Sequence, residues 1–229
     1  MENRKHTSLK DLAQALGVSI PTVSRALKDS PEISRELCTK AKALAKEMNY
    51  RPNPFAMSLR KNAPRIIGVV VPDIVTHFFA SILNGIENMA IANGYFVIIT
   101  TSHESYEHEK RNIENLVNMR VEGIIACLSQ ETTDFSHISA LKDINMPLIL
   151  FDRVCLTDQF SSVIADGAQS AQMATQHLLD NGSKRVAFIG GANHLDIVKR
   201  RKHGYLEALR ENRIPIEKEL VVCRKIDYE

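Results

Sequence analysis

The sequence predicts a small all-α head followed by a larger α/β body whose parallel sheet is doubly wound. Three short amphipathic segments, each with helix-capping residues, lie within residues 1–52. From residue 66 onward, apolar runs such as IIGVVVPDI alternate with helical patterns, which is typical of a parallel sheet covered on both faces. Charge divides at the same place: residues 1–65 carry 13 Lys and Arg against 6 Asp and Glu, and the remainder carries 16 against 21.

The composition excludes a membrane protein and indicates a reducing compartment. Apolar residues make up 44% of the 229 residues, and no apolar run approaches the roughly 18–20 residues of a membrane helix. The start, MENRKHTSLKDLAQ, lacks the apolar segment of a secretory signal. Four scattered cysteines without a CxxC pair predict buried thiols, and we expect a cytoplasmic protein.

The first two helices of the head are marked by their caps. Ser8 and Asp11 form a capping box, and Gly17 has the place of a C-cap. If Ser19 is the next N-cap, Pro21 lies in the first turn of the second helix. Amides in this turn have no acceptor within the helix, so the lack of an amide hydrogen in proline costs no hydrogen bond. This helix is predicted from Ile20 to about Leu27, with Val23, Ala26 and Leu27 inward and with Ile20, Pro21, Thr22, Ser24, Arg25 and Lys28 outward or at the ends.

A third helix, capped by Ser34, completes a helix-turn-helix arrangement. Leu37, Ala41, Leu44, Ala45 and Met48 follow Ser34 at helical spacing. In this arrangement two short helices are joined by a tight turn and packed against a third helix. The second helix then fits into the major groove of DNA. A generic three-helix bundle is the alternative, and the outward Thr-Ser-Arg-Lys face beside a tight glycine turn opposes it.

The segments LKDLAQALGVS, TVSRAL, EMNYRPN and AMSLR resemble the head of the lactose-repressor family of bacterial transcription regulators. The resemblance implies that Ile20, Pro21 and Arg25 occupy base-reading positions, Arg25 on a guanine edge. It also implies phosphate contacts, which fix register rather than sequence, from Ser19, Thr22, Ser24, Lys28, Tyr50 and Asn53. Residues 53–61 match the hinge helix of that family, in which Leu59 would enter the minor groove as an apolar wedge.

The body, residues 65–229, resembles the two-lobed, periplasmic-binding-protein-like sensor (type I) of the same family. Ligands of such sheets bind beyond the carboxyl ends of the strands, where Asp73 follows the first strand. The resemblance implies effector contacts from Phe78, Phe79, Asp152 and Arg201. The residues alone also permit a core role for Phe78 and Phe79 and a solvated face for Arg201. Asp166 is expected to cap a helix.

Motifs for catalysis are missing from the sequence. HExxH, GxSxG and Walker A patterns do not occur, and Gly190-Gly191 lacks the rest of a dinucleotide fingerprint. We therefore expect neither an enzyme nor a metal or cofactor. The family resemblance implies a repressor that binds a palindromic operator as a homodimer and senses a small metabolite, with a sugar as the expected class. A solute-binding protein, or an enzyme with a DNA-binding head, are the alternatives.

The predicted domains are a head over 1–52, a hinge over 53–64 and a body over 65–229. The amino-terminal lobe of the body spans about 65–165, and a partial carboxyl-terminal lobe follows over about 166–229. Because family members usually exceed 300 residues, we expect an incomplete second lobe and weak dimerisation. Ile82, Ile86 and Met89 are predicted to form an exposed dimerising stripe.

Overall fold

The head is a unit of three helices. The computed structural model describes residues 7–50 and 65–224. In the head it contains α1 (Leu9–Leu16), α2 (Ile20–Ala26) and α3 (Arg35–Glu47). The predicted helix-turn-helix arrangement is confirmed.

The predicted caps form the ends of these helices. The Ser8 Oγ accepts a hydrogen bond from the Asp11 amide while the Asp11 side chain accepts from the Ser8 amide, which is the predicted capping box. Gly17 ends α1 with φ +64°, a backbone conformation in which a Cβ would be strained. Ser34 accepts from the Leu37 amide at the start of α3. The interior of the head includes four fully buried residues, Leu12, Val23, Ala26 and Ala41.

The body alternates strands and helices as predicted. Its elements, in order, are β1 (Ile66–Val71), α4 (His77–Ala92), β2 (Phe96–Thr101), α5 (Tyr106–Asn118), β3 (Gly123–Ala126), α6 (Ser136–Asp143), β4 (Leu148–Phe151), β5 (Ser161–Val163), α7 (Gly167–Asp180), β6 (Phe188–Gly190), α8 (Asp196–Glu211), a 3₁₀ turn (Lys218–Leu220) and β7 (Val221–Cys223).

The main sheet has five parallel strands in the order β2-β1-β3-β4-β5. One face packs Ile66, Val70, Ile124 and Leu150 in a cluster with the α5 and α6 side chains. The other face packs Val69 and Val71 with side chains of α4, while Ile99 and Ile149 on that face remain 44% and 41% exposed. A chain that winds both ways around a parallel sheet brings the carboxyl ends of its strands to one edge.

The predicted exposure of the stripe on α4 is wrong at two of its three positions. Ile82 and Ile86 are half-buried and pack against the cluster of Val69, Val71 and Phe79. Met89 remains exposed. Ile82 and Ile86 follow Phe79 and Leu83 at helical spacing, so they share the side of α4 that packs onto the sheet.

A second, two-stranded parallel sheet, β6-β7, begins the other half of the body. Helices α7 and α8 cross at very short range beside it. A Cβ built on Gly204 of α8 lies 1.9 Å from the Ala168 carbonyl oxygen of α7, so this crossing requires glycine. Buried Tyr205 donates its hydroxyl hydrogen to the Val186 carbonyl at 2.9 Å and fixes α8 against the strand region.

Within the described residues, no helix is long and apolar enough to cross a membrane. The four cysteines are free thiols, and Cys38, Cys127 and Cys155 are buried, as predicted. Cys223 is only half-buried. Burial raises the pKa of the Cys127 and Cys155 thiols to about 12, so both stay protonated and unreactive at neutral pH.

Candidate functional site

The start of α2 has the geometry that its sequence predicts. The Ser19 Oγ accepts from the Thr22 amide at 3.3 Å, and Pro21 lies in the first turn. Ile20 is 41% exposed, and Arg25 and Lys28 are exposed as well. Ile20 and Arg25 therefore stand on the open surface of a helix that follows a tight glycine turn, and Lys28 lies just beyond its end. This arrangement suits insertion into a major groove.

Arg25 is held by an acid of the loop between α2 and α3. Its Nη1 lies 2.7 Å from the Glu32 Oε2, and both side chains are at least half exposed to solvent. An exposed pair of this kind contributes only about 0–1 kcal/mol. The guanidinium can consequently exchange Glu32 for another acceptor at small cost.

The other predicted DNA contacts differ in how they are placed. Ser24 is only 9% exposed, so its predicted outward position is wrong: α2 is short and packs against both α1 and α3, which covers a wider band than the Val23, Ala26 and Leu27 stripe. Thr22 is half-buried and shares a 2.8 Å hydrogen bond with the Ser19 hydroxyl. Asn53 and Leu59, with the predicted hinge, lie outside the described residues.

Tyr50 contributes to the head from the end of α3. It is half-buried against the cluster of Leu12, Ala13 and Val23. Burial raises the pKa of its phenol, which keeps the hydroxyl protonated and available as a donor. A phosphate contact from Tyr50 stays a prediction.

Two predicted effector residues follow β1. The Asp73 Oδ1 accepts from the Val75 amide at 2.8 Å, which shapes the turn into α4. Phe78 is 50% exposed, as an aromatic platform requires. Phe79 is instead 6% exposed and packs edge-on against Phe151 in the core, with ring centroids 6.4 Å apart. The burial of Phe79 fits the core role that the residues alone permit, and an effector contact from this ring stays a prediction.

Asp152 and Arg201 come from opposite halves of the body and lie within electrostatic reach of each other. Asp152 follows β4 with φ +58°. Burial raises the pKa of its carboxyl, and the charges of Arg153 and Arg201 oppose that rise. The Arg201 stem crosses Gly167, where a Cβ would lie 3.3 Å from the Arg201 Cγ. The pairing of an acid with a long cationic side chain is a usual way to bind hydroxyl groups.

A clamp beside Asp152 was not visible in the sequence. The Arg153 Nη1 and Nη2 donate to the Glu104 carboxylate at 2.6 and 3.0 Å, and Nη1 also donates to the Leu128 carbonyl at 3.1 Å. Glu104 in turn accepts from the Gln130 amide at 2.7 Å. Glu104 and its neighbour His103 both have positive φ, at +59° and +51°. The sequence gives no signal for Glu104, because its partners follow β3 and β4 and come near it only when the carboxyl ends of three strands meet in the folded sheet.

Near the same edge lies a cavity of about 310 Å³. Three segments form its wall: the chain from the end of β3 to the start of α6, the loop after β4, and the entry to α8. The His194 Nε2 donates to the Gln130 carbonyl at 2.8 Å and joins the first segment to the third. The residues of the wall are Leu128, Thr132, Phe135, Arg153, Val154, Cys155, Leu156, Thr157, His194, Leu195, Asp196, Lys199 and Arg200.

Comparison with known proteins agrees with this architecture. Residues 8–53 match the model of the bacterial regulatory proteins of the lacI family, and residues 65–229 match that of periplasmic binding proteins and the sugar binding domain of the LacI family. Catabolite control protein A of Priestia megaterium is 31% identical over 229 aligned positions, with 98% of this chain and 67% of that protein covered. The ribose operon repressor of Bacillus subtilis (strain 168) is 31% identical, with 92% and 62% covered.

Among solved structures, the lac repressor dimer bound to operator and the anti-inducer ONPF has a TM-score of 0.75 and 25% identity. The match covers 96% of this chain and 66% of that one. The chain thus spans about two thirds of the length of these relatives. Both family models match in the expected order, head before body, and together they account for nearly the whole chain. The chain therefore belongs to the LacI family of bacterial regulatory proteins.

Proposed function

We propose that this protein is a sequence-specific DNA-binding transcription repressor whose operator affinity is set by a small carbohydrate. The observation that carries the proposal is the exposed surface of α2, where Ile20 and Arg25 follow the Ser19 cap, together with exposed Lys28 just beyond the helix. Arg25 donates to a guanine in the major groove, and Lys28 binds a phosphate. Regulation, rather than catalysis, is the activity we assign, and the cytoplasm is its place.

The body supplies the sensor in this proposal. Phe78 offers an apolar ring face, while Asp152 and Arg201 offer an acceptor and a donor for sugar hydroxyls. Relatives that carry names such as ribose operon repressor support a sugar as effector. Two copies of the chain bind the two halves of a palindromic operator, and the sugar changes the closure of the body and thereby the affinity for DNA.

Selection of DNA ligands from a random library tests the proposal, because the library contains every short operator sequence. Binding of the selected duplex, measured by fluorescence anisotropy, is expected to exceed binding of a scrambled duplex and to fall steeply with salt concentration. Enrichment of no common sequence, or equal binding of both duplexes, contradicts the proposed function. A sugar panel added to the complex then identifies the effector by the change in anisotropy.

Replacement of Arg25 by alanine is expected to weaken binding to the selected duplex by about 1–3 kcal/mol and to relax the preference at one base pair. Lys28→Ala is the matched control, because loss of a phosphate contact weakens all sequences evenly and lowers the salt slope by about 1. Repeating the selection with each variant measures both effects. Full discrimination by Arg25→Ala contradicts the assigned register of α2.

Replacement of Glu32 by glutamine is expected to strengthen DNA binding by roughly 0.5–1 kcal/mol at low salt, since it removes an acid that competes with DNA for Arg25. Glu47→Gln, at the far end of α3, removes the same charge without touching Arg25 and serves as the control. Anisotropy titrations at two salt concentrations measure the difference. Weaker binding by Glu32→Gln contradicts competition and assigns Glu32 to the orientation of Arg25 instead.

A further inference from the structure

We propose that Arg65, Tyr95 and Glu122 form a strap around the entry to β1, which holds the chain where it comes from the head and thereby sets the spacing of the two operator half-sites. Arg65 is the first described residue after residues 51–64, which join the head to the body. We call the three residues the entry strap. Their role rests on the proposed function, because it concerns the placement of two heads on one operator.

The backbone at the entry to β1 is bonded on both sides. Strand β1 lies between β2 and β3 in the sheet. The Phe96 amide donates to the Arg65 carbonyl at 2.8 Å, and the Glu122 amide donates to the Ile66 carbonyl at 2.8 Å. Tyr95 and Glu122 immediately precede β2 and β3, so they flank the start of β1 from opposite sides.

A side-chain hydrogen bond joins these two flanks. The Tyr95 hydroxyl donates to the Glu122 carboxylate, so it connects the segment before β2 to the segment before β3 across the entry to β1. This hydrogen bond raises the pKa of the Tyr95 phenol above its ordinary value, and the charge of nearby Arg65 opposes the rise. A hydrogen bond to an ionised acceptor is stronger than one between neutral groups.

Arg65 binds a third element, the end of α4. Its Nη1 donates to the carbonyl of Asn93, the C-cap residue of that helix, at 3.4 Å. A Cβ built on Gly94 would lie 3.0 Å from the same Nη1, so the guanidinium lies directly against the helix end. The negative end of a helix dipole attracts a cation. Elements on both sides of β1, together with α4, therefore hold the residue at which the chain enters the body.

Freedom at this residue would pass to the head. The hinge helix predicted over residues 53–61 leaves only residues 62–64 between itself and Arg65. Because this connection is short, the direction in which β1 starts limits the positions that the head can reach. The gain from binding two half-sites at once depends on how well the linkage matches their separation. A loosened entry strap therefore permits more spacings, each with a smaller gain.

Anisotropy titrations with the full chain test this role. One duplex carries the selected palindrome, a second has its half-sites two base pairs further apart, which rotates one of them by roughly 70°, and a third has a single half-site. The natural chain is expected to prefer the selected spacing. Tyr95→Phe and Glu122→Ala are each expected to lower that preference about tenfold and to leave binding of the single half-site unchanged. Glu122→Gln keeps an acceptor oxygen and is expected to retain most of the preference.

Tyr106→Phe is the matched control. The Tyr106 hydroxyl also donates to a carboxylate, the Asp134 Oδ2 at 3.1 Å, but Tyr106 starts α5 and thus follows the carboxyl end of β2. This variant is expected to keep the spacing preference of the natural chain. Alkaline titration of tyrosinate absorbance gives an independent readout: Glu122→Ala is expected to lower the pH at which Tyr95 ionises, and comparison with Tyr95→Phe assigns the signal.

Four results overturn the inference: equal binding of both spacings by the natural chain, an unchanged preference in Tyr95→Phe and Glu122→Ala, the same loss in Tyr106→Phe, or an equal loss of binding to the single half-site. The last result indicates general damage to the fold rather than a positioning role. Failure of the proposed function is recognised separately, because the natural chain then binds the single half-site no better than scrambled DNA.

Discussion

Replacement of Glu109 by alanine is expected to lower the free energy of unfolding by about 3–5 kcal/mol, the usual cost of removing one partner from a buried charged network. Glu109 is fully buried on α5. Its Oε2 accepts from the Ser129 amide, and its Oε1 accepts from the Thr132 hydroxyl at 3.0 Å and pairs with the His137 Nε2 at 2.9 Å. Alanine leaves three buried donors without this acceptor, each a cost of about 1–3 kcal/mol.

Urea denaturation of the variant measures this loss. Glu107→Ala, on the exposed side of the same helix, is the matched control and is expected to change stability by less than about 0.5 kcal/mol. Glu109→Gln keeps the shape and one acceptor oxygen, so it is expected to lie between the two. A loss below about 1 kcal/mol in Glu109→Ala contradicts the anchoring role of this carboxylate.

Replacement of Gly204 by alanine is the second large effect, with an expected loss of about 3 kcal/mol or more. The added methyl group meets the Ala168 carbonyl oxygen at 1.9 Å, the Ala168 carbonyl carbon at 2.8 Å and the Gln172 amide nitrogen at 2.9 Å. These atoms belong to the backbone of α7, so no side chain can move aside. Relief of the clash requires α7 and α8 to separate, which also opens the buried contacts of Tyr205.

Gly85→Ala is the control for this variant, because Gly85 lies inside α4 and a Cβ there meets nothing within 4 Å. Helix propensity alone then makes this alanine stabilising by roughly 0.5–1 kcal/mol. Thermal and urea unfolding of the two variants are thus expected to shift in opposite directions. A neutral Gly204→Ala contradicts the close crossing of α7 and α8.

Local chemistry explains why the head could be predicted almost to the residue. The helix caps depend on local contacts. Each capping serine accepts a hydrogen bond from an amide three positions later, and Gly17 adopts the positive φ that ends α1, so these roles can be derived from neighbouring residues. The same holds for Asp166, which accepts from the Gln169 amide at 2.9 Å as expected. In the body, the parallel sheet followed from alternation and apolar runs because parallel strands require crossovers.

Tertiary packing decided the residues that sequence reasoning misplaced or missed. Ser24 and Phe79 are buried because of which elements lie against their helices, and such contacts have no local signal. In the sequence, Glu104 and Glu109 cannot be distinguished from surface acids. In the structure, each accepts hydrogen bonds from residues 20 or more positions away. The cavity was missed for the same reason, since its three wall segments meet only in the folded chain.

The two parts of the chain differ in how far along the sequence their contacts reach, and this has a consequence for biosynthesis. Helices α1, α2 and α3 pack on partners a few dozen residues away at most. Strand β1 instead pairs with β3, and β3 with β4, and helices separate these strands in the sequence. Short-range folds form faster than parallel sheets, and amino-terminal units fold first as the ribosome releases them. The head is therefore complete while the sheet behind it is still being translated.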